Sequence, residues 1–203
     1  MDLSDIGIDK GRLCEVIVTT YHEDGSPNAA PMGVIGMGRG RLMLRVHTNT
    51  DTWENIRRGG SCVINIVFDP MLFLVCSLHG RHKGPVEVET RRVKKASSVN
   101  APYLVDAHAY LEAELESCKS VQREDAHGSA AIAEINMVAR GIEILSPFPI
   151  APNRGFFAAV ELAIALSRRE TRDVKRYMDI IKRTLGAGES KRIEEFVNET
   201  LGT

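Results

Sequence analysis

Residues 14–35 read CEVIVTTY-HEDGS-PNAAPMGVI, and how this stretch folds decides the architecture. Residues 14–21 are rich in β-branched side chains and bounded by polar groups, the composition of a strand. Asp24-Gly25 then lies between two apolar runs. Both residues tolerate positive φ, which makes the pair a strong hairpin signal. The return strand, about 27–35, contains Pro27 and Pro31. Neither has an amide hydrogen to give to a ladder, so the stretch is expected at an edge, or irregular at Pro31.

Working outward, Gly36-Met37-Gly38-Arg39-Gly40 reads as a second turn. RLMLRVH (41–47) alternates cleanly, with Leu42, Leu44 and Val46 on one face and Met43, Arg45 and His47 on the other. In HTNTDTWENIRRGG (47–60), Asp51 or Thr52 is expected to cap a short helix through Trp53, Ile56 and Arg57, closed by Gly59. SCVINIVF (61–68) is almost continuously apolar, as a strand buried on both faces would be. Further strands are expected at 110–121, where Leu111, Ala113 and Leu115 alternate with Glu112, Glu114 and Glu116, and at 132–145. Short strands in meander order around one small helix predict a closed or split antiparallel β-barrel, a mainly β fold with α additions.

Near residue 150 the apolar period changes from that of strands to that of helices. Phe156, Val160, Ala163, Ile164 and Ser167 follow Asn153, an expected cap. A second stripe, Val174, Tyr177, Met178, Ile181 and Leu185, is expected to be capped by Thr171 and stopped by Gly186, and a third carries Ile193, Phe196, Val197 and Leu201. The chain is thus expected to divide into a barrel domain, 1–150, and a three-helix extension, 151–203, packed on the barrel.

Composition sets the limits on function. With 203 residues the chain is long enough for a real core. Its 43% hydrophobic and 26% charged residues argue against disorder. Lys+Arg (26) balance Asp+Glu (27), which removes the bulk electrostatic motive for binding nucleic acid or an anionic membrane. Cys14, Cys62, Cys76 and Cys118 form no C-x-x-C pair and read as reduced thiols. The start, MDLSDIGIDKG, is acidic and mixed, and no apolar run reaches the length of a membrane span, so a cytoplasmic protein is expected.

No nucleophile elbow, Walker loop, HExxH or dinucleotide-type glycine pattern is present. The informative segment is 47–56: Thr48, Asn49, Thr50, Asp51, Thr52 and Asn55 gather short polar groups where a strand ends and a helix begins. Such a group can cradle a phosphate, or can simply form an N-cap with its Asx/ST turn. SLHGRHKG (77–84) and ETRRVKK (89–95) carry His79, Arg81, His82, Lys83, Arg91, Arg92, Lys94 and Lys95; this is either a solvated face or a surface for an anionic substrate or nucleic acid. His22, His47, His108 and His127 are scattered and suggest no metal site.

EVIVTTYHEDGSPNAAPMGV (15–34), HTNTDTWENI (47–56) and CVINIVFDPMLF (62–73), in this order and spacing, resemble the FMN-binding split-barrel superfamily of flavin-reductase type. More narrowly, they are similar to its archaeal branch with a helical C-terminal extension. The resemblance spans about 12–145 and implies a homodimer binding FMN near the subunit interface. It implies that Asn28, Ala29, Ala30, Pro31, Met32 and Gly33 line the isoalloxazine ring. Thr48, Asn49, Thr50, Thr52 and Asn55 would hold the phosphate, and Asn65 would lie near the ring or ribityl chain. Small side chains and exposed backbone suit a flat ring with one polar edge. The function expected is a flavin-dependent oxidoreductase using a nicotinamide nucleotide; the alternatives are a non-catalytic flavin- or ligand-binding module and, third, nucleic-acid binding through 81–95.

Overall fold

The computed structural model describes residues 2–78, 88–125, 128–146 and 153–202. The chain forms two compact units, Met1–Val67 with Arg81–Pro147, and Phe68–Gly80 with Phe148–Thr203. In chain order the elements are β1 (Leu13–Tyr21), β2 (Pro27–Gly38), β3 (Arg41–His47), α1 (Asp51–Gly59), β4 (Ser61–Ile66) and α2 (Pro70–Leu78). They are followed by β5 (Val93–Lys95), β6 (Pro102–Leu104), β7 (Ala109–Asp125), β8 (Gly128–Ile144), α3 (Arg154–Ser167), α4 (Val174–Thr184) and α5 (Ala187–Leu201).

The first unit is the expected antiparallel barrel, closed in the order β1-β2-β3-β8-β7-β4. The order departs from a meander after β3. Strands β3 and β4 stand on opposite sides of the ring, and α1 carries the chain from one to the other. Alternation fills the interior as the sequence predicts: Val16, Val18, Leu42, Leu44, Ile64 and Ile135 are fully buried together, with Ile56 of α1 among them. Residues Ser61–Asn65 of β4 are buried on both faces.

Strand β2 does two jobs. It pairs with β1 from Pro27 to Ile35, but with β3 only from Val34 to Gly38. Residues 27–33 are therefore an edge stretch, which is where two prolines can be tolerated. The strand runs further than its sequence suggests, to Gly38, and turns through Arg39 (φ 53°) and Gly40 (φ 69°), the pair of positive φ angles that a two-residue hairpin requires. Gly36 lies where the N-terminal segment crosses: the Gly11 amide donates to its carbonyl at 2.8 Å, and a Cβ built there would stand 2.4 Å from the Asp9 carbonyl oxygen.

Glu112 breaks the expected alternation of β7. It is 2% exposed, although its neighbours Glu114 and Glu116 reach solvent. A loop before β6 covers it: the Ser97 amide (3.1 Å), the Ser97 hydroxyl (2.9 Å) and the Ser98 amide (2.5 Å) donate to its carboxylate. Burial alone would raise this acid, but the hydrogen bonds outweigh it and hold the carboxyl below its ordinary range.

In the second unit α2, α3, α4 and α5 share one core, with Leu74, Leu162, Met178, Ile181 and Ile193 buried together. Asn153 caps α3 as expected, accepting from the Gly155 and Phe156 amides. One expectation is corrected: helix α4 starts after Asp173 rather than Thr171. It ends at Thr184 with Leu185 as its C-cap, and Gly186, where the stop is expected, is also the N-cap of α5. Helix α2 went unread because its residues are apolar on every side, which leaves no periodic stripe to detect.

Gly36→Ala is expected to lower stability by about 1–3 kcal/mol, since backbone rather than a flexible side chain blocks the new methyl group; an unchanged urea midpoint would refute the close approach. Glu112→Gln is expected to cost about 1–3 kcal/mol by leaving the loop amides with a poorer acceptor. A carboxyl held low in the fold contributes stability above its unfolded pKa of about 4.3 and loses it as pH falls below that value. The variant's stability, measured from pH 7 to pH 3, is therefore expected to fall less steeply than that of the wild type.

Candidate functional site

The polar segment 47–56 forms the turn from β3 into α1. Thr50, not Asp51 or Thr52, is the N-cap: its hydroxyl accepts from the Trp53 amide at 3.3 Å and donates to the His47 carbonyl at 2.7 Å. Neighbouring residues of similar capping ability make such one-residue shifts invisible in sequence. The helix closes at Gly60, in the left-handed region, rather than Gly59. The Thr48 amide and hydroxyl both donate to the Ala131 carbonyl, at 3.0 and 3.2 Å, and Asn49 is exposed. The hydroxyl hydrogens of Thr48 and Thr50 are thus used by the protein. What the turn still offers is the pair of first-turn amides, Asp51 and Thr52, which by helix geometry have no intrahelical acceptor.

Behind this turn four buried residues meet at one end of the barrel. The Asn28 side-chain amide donates to the hydroxyls of Thr20 and Thr52, each at 3.1 Å, and the Asn55 amide donates to Thr20 at 3.0 Å. The Asn55 oxygen accepts from Arg58 at 3.0 Å, and the same guanidinium nitrogen donates to the Tyr21 carbonyl at 2.8 Å. Three residues expected at a ligand, Asn28, Thr52 and Asn55, are thereby brought together, in a network that fixes α1 to β1 and β2. Beside it, Ala29 is fully buried, while Ala30, Pro31, Met32 and Gly33 are half-buried along the edge stretch.

Asn65 is not part of this group. Its amide donates to the Ile17 carbonyl and the Thr19 hydroxyl, both at 2.9 Å, and its oxygen accepts from the Leu104 amide at 2.8 Å. Its side chain joins β4, β1 and β6.

One small cleft of about 290 Å³ opens beside the network, lined by Tyr21, His22, Glu23, Asn55, Arg58, Gly59, Ser61 and Asn100. Of these, Asn55 is expected from sequence at a phosphate, and Arg58, which follows that segment with Arg57, reads in sequence as a cation that either adds charge to an anion or faces solvent; the others carry no such mark. Burial raises the Tyr21 phenol above its ordinary value, so it is a neutral hydroxyl at physiological pH. Cys62 lies deep in the barrel core, where burial pushes its thiol up to about 12 and makes it a poor nucleophile. Cys76 is buried, Cys14 half-buried and Cys118 exposed.

Of the basic segment, His79 and residues 81–87 lie outside the described residues, as does His127. Arg91 pairs with Glu89 and Arg92 with Asp106. Among the described residues no three His, Cys, Asp or Glu side chains are placed to hold a metal ion, and no helix is long and apolar enough to cross a membrane.

Three solved structures share this architecture. The FMN-bound protein MM1853 from Methanosarcina mazei is 25% identical, with a TM-score of 0.72 over 95% of this chain and 97% of that one. Nitrilotriacetate monooxygenase component B from Bacillus cereus (16% identity, TM-score 0.53, 66% of this chain and 70% of that one) is alike in fold. So is the flavin reductase HpaC solved with NADP+ (18% identity, TM-score 0.51, 72% and 86%). The barrel is a split barrel shared with these proteins, and, with residues 14–143 matching the model of its N-terminal domain, the chain belongs to the DUF447 family of proteins of unknown function.

Proposed function

We propose that this protein binds FMN and acts as a flavin-dependent oxidoreductase of flavin-reductase type, with a reduced nicotinamide nucleotide as electron donor. The observation that carries the reading is the edge stretch 27–33 of small residues beside the first turn of α1, in a family member whose 25%-identical relative is FMN-bound. FMN, when bound, supplies the redox chemistry. The chain's own residues supply position. Ala29 to Gly33 offer a flat, small-side-chain wall for the ring, and the Asp51 and Thr52 amides at the positive end of α1 suit a phosphate. Thr48 and Thr50 act on that phosphate indirectly, by holding the turn. Asn28, Thr52 and Asn55 keep the helix in register with the wall, and Asn65 serves one step removed, by holding β4 in place.

The reading includes a homodimer with flavin near the subunit interface. In support, Leu13 and Met37, on adjoining strands, are 61% and 46% exposed. The barrel unit has no need of a protein acid or base if the flavin exchanges electrons directly with the nicotinamide.

Size-exclusion chromatography after incubation with FMN, read by absorbance and light scattering, is expected to show flavin bands between about 300 and 500 nm on a species of twice 22.4 kDa. A colourless protein ends the flavin reading, and a monomer carrying flavin removes the dimer from it. Loaded protein is expected to oxidise NADH or NADPH; silence with both, flavin being bound, favours the non-catalytic module. Asp51 places a carboxylate in the turn assigned to the phosphate, so Asp51→Asn is expected to tighten FMN binding about two- to fivefold in fluorescence titration. Weaker binding would place the phosphate elsewhere.

A further inference from the structure

The cleft beside α1 holds a polar group that the fold leaves unused. Ser61, the first residue of β4, is 6% exposed, and its hydroxyl is buried without a hydrogen-bond partner among the described residues. A buried hydroxyl without a partner is uncommon, because its loss of hydration is not made good. The same cleft is lined by Arg58, whose Nη2 makes both of its contacts, to Tyr21 and Asn55. The Nε and Nη1 hydrogens of this guanidinium have no partner among the described residues. They lie on opposite sides of the guanidinium, so each can give a single hydrogen bond to an anionic oxygen, and the group's charge adds to both. Tyr21 and Asn100 line the same cleft.

We propose that this cleft binds the oxyanion group, carboxylate or phosphate, of a small molecule other than the flavin. Arg58 supplies the charge. Ser61, after rotation about χ1, supplies a hydroxyl from the floor, and Asn55 holds the guanidinium in place. Two features oppose an anion: the C-terminal end of α1 at Gly59 and the carboxylate of Glu23. Glu23 is exposed and therefore screened by water, and Arg57 in the last turn offsets the helix end. A volume of about 290 Å³ admits a small acid or a phosphate group rather than a second nucleotide.

Titration calorimetry of the full chain at fixed ionic strength, with inorganic phosphate and separately with acetate, tests the assignment. Saturable binding of at least one anion is expected, and the stronger of the two identifies the ligand chemistry. Arg58→Gln is expected to weaken it about tenfold or more and Ser61→Ala about threefold. Ser61→Ala removes an oxygen with no partner to lose, so it keeps the test valid even if Arg58→Gln disturbs the fold. No saturable heat with either anion, or an affinity unchanged in Ser61→Ala, overturns the proposal. Repeating the titration on FMN-loaded protein is expected to give the same affinity; displacement of the anion by FMN overturns it too. The titration without flavin stands whether or not FMN binds, so failure of the flavin reading and failure of this one are separate results.

Discussion

Closure of the barrel rests on a short seam. Strand β4 meets β1 through only three residue pairs, Ile17–Asn65, Val18–Ile64 and Thr19–Val63, whereas β7 and β8 pair along most of their length. Without that seam the ring would be an open sheet with two exposed edges. Asn65 reinforces it with side-chain hydrogen bonds to Ile17 and Thr19, each worth on the order of 1 kcal/mol in a buried setting. The Thr19 hydroxyl in turn donates to the Pro102 carbonyl at 2.5 Å, and Asn65 accepts from Leu104, so β6 is fastened across the same joint. A polar residue in an apolar strand is here the fastener that makes a minimal backbone ladder sufficient.

The same economy governs the site. Thr and Asn side chains that look available to a ligand in sequence are mostly committed to the protein itself: Thr50 to the cap, Thr48 to Ala131, and Asn28 and Asn55 to Thr20 and Thr52. Binding capacity therefore shifts from the hydroxyls to the backbone that they orient. This arrangement is stiff. The groups facing a ligand are held by contacts that exist before it arrives, which reduces the ordering cost of association.

The barrel was legible wherever one residue pattern had one cause. Leu42, Leu44 and Val46 alternate because β3 has a single buried face, and Asp24-Gly25 marks a turn because Gly25 accepts the positive φ of 82° found there. The prolines of β2 correctly signalled an edge. Legibility failed where tertiary context overrode local pattern. Glu112 reads as a solvent-facing acid and is buried because a loop distant in sequence brings it three donors. Helix α2 reads as more of the preceding apolar run. Ser61 and Asn100 carry no local mark at all, since they come together only when β4 and the loop before β6 are in place.

One consequence follows from the composition of the second unit. It is assembled from two pieces of chain separated by β5 to β8, with α2 supplied by the first piece and α3 to α5 by the second. During translation α2 therefore emerges long before the helices that cover Leu74 and its neighbours. Until α3 to α5 emerge, the nascent chain carries an apolar helix with its partners not yet made, and these later helices are the ones that remove this aggregation hazard. The C-terminal helices thus complete a core begun in the middle of the chain.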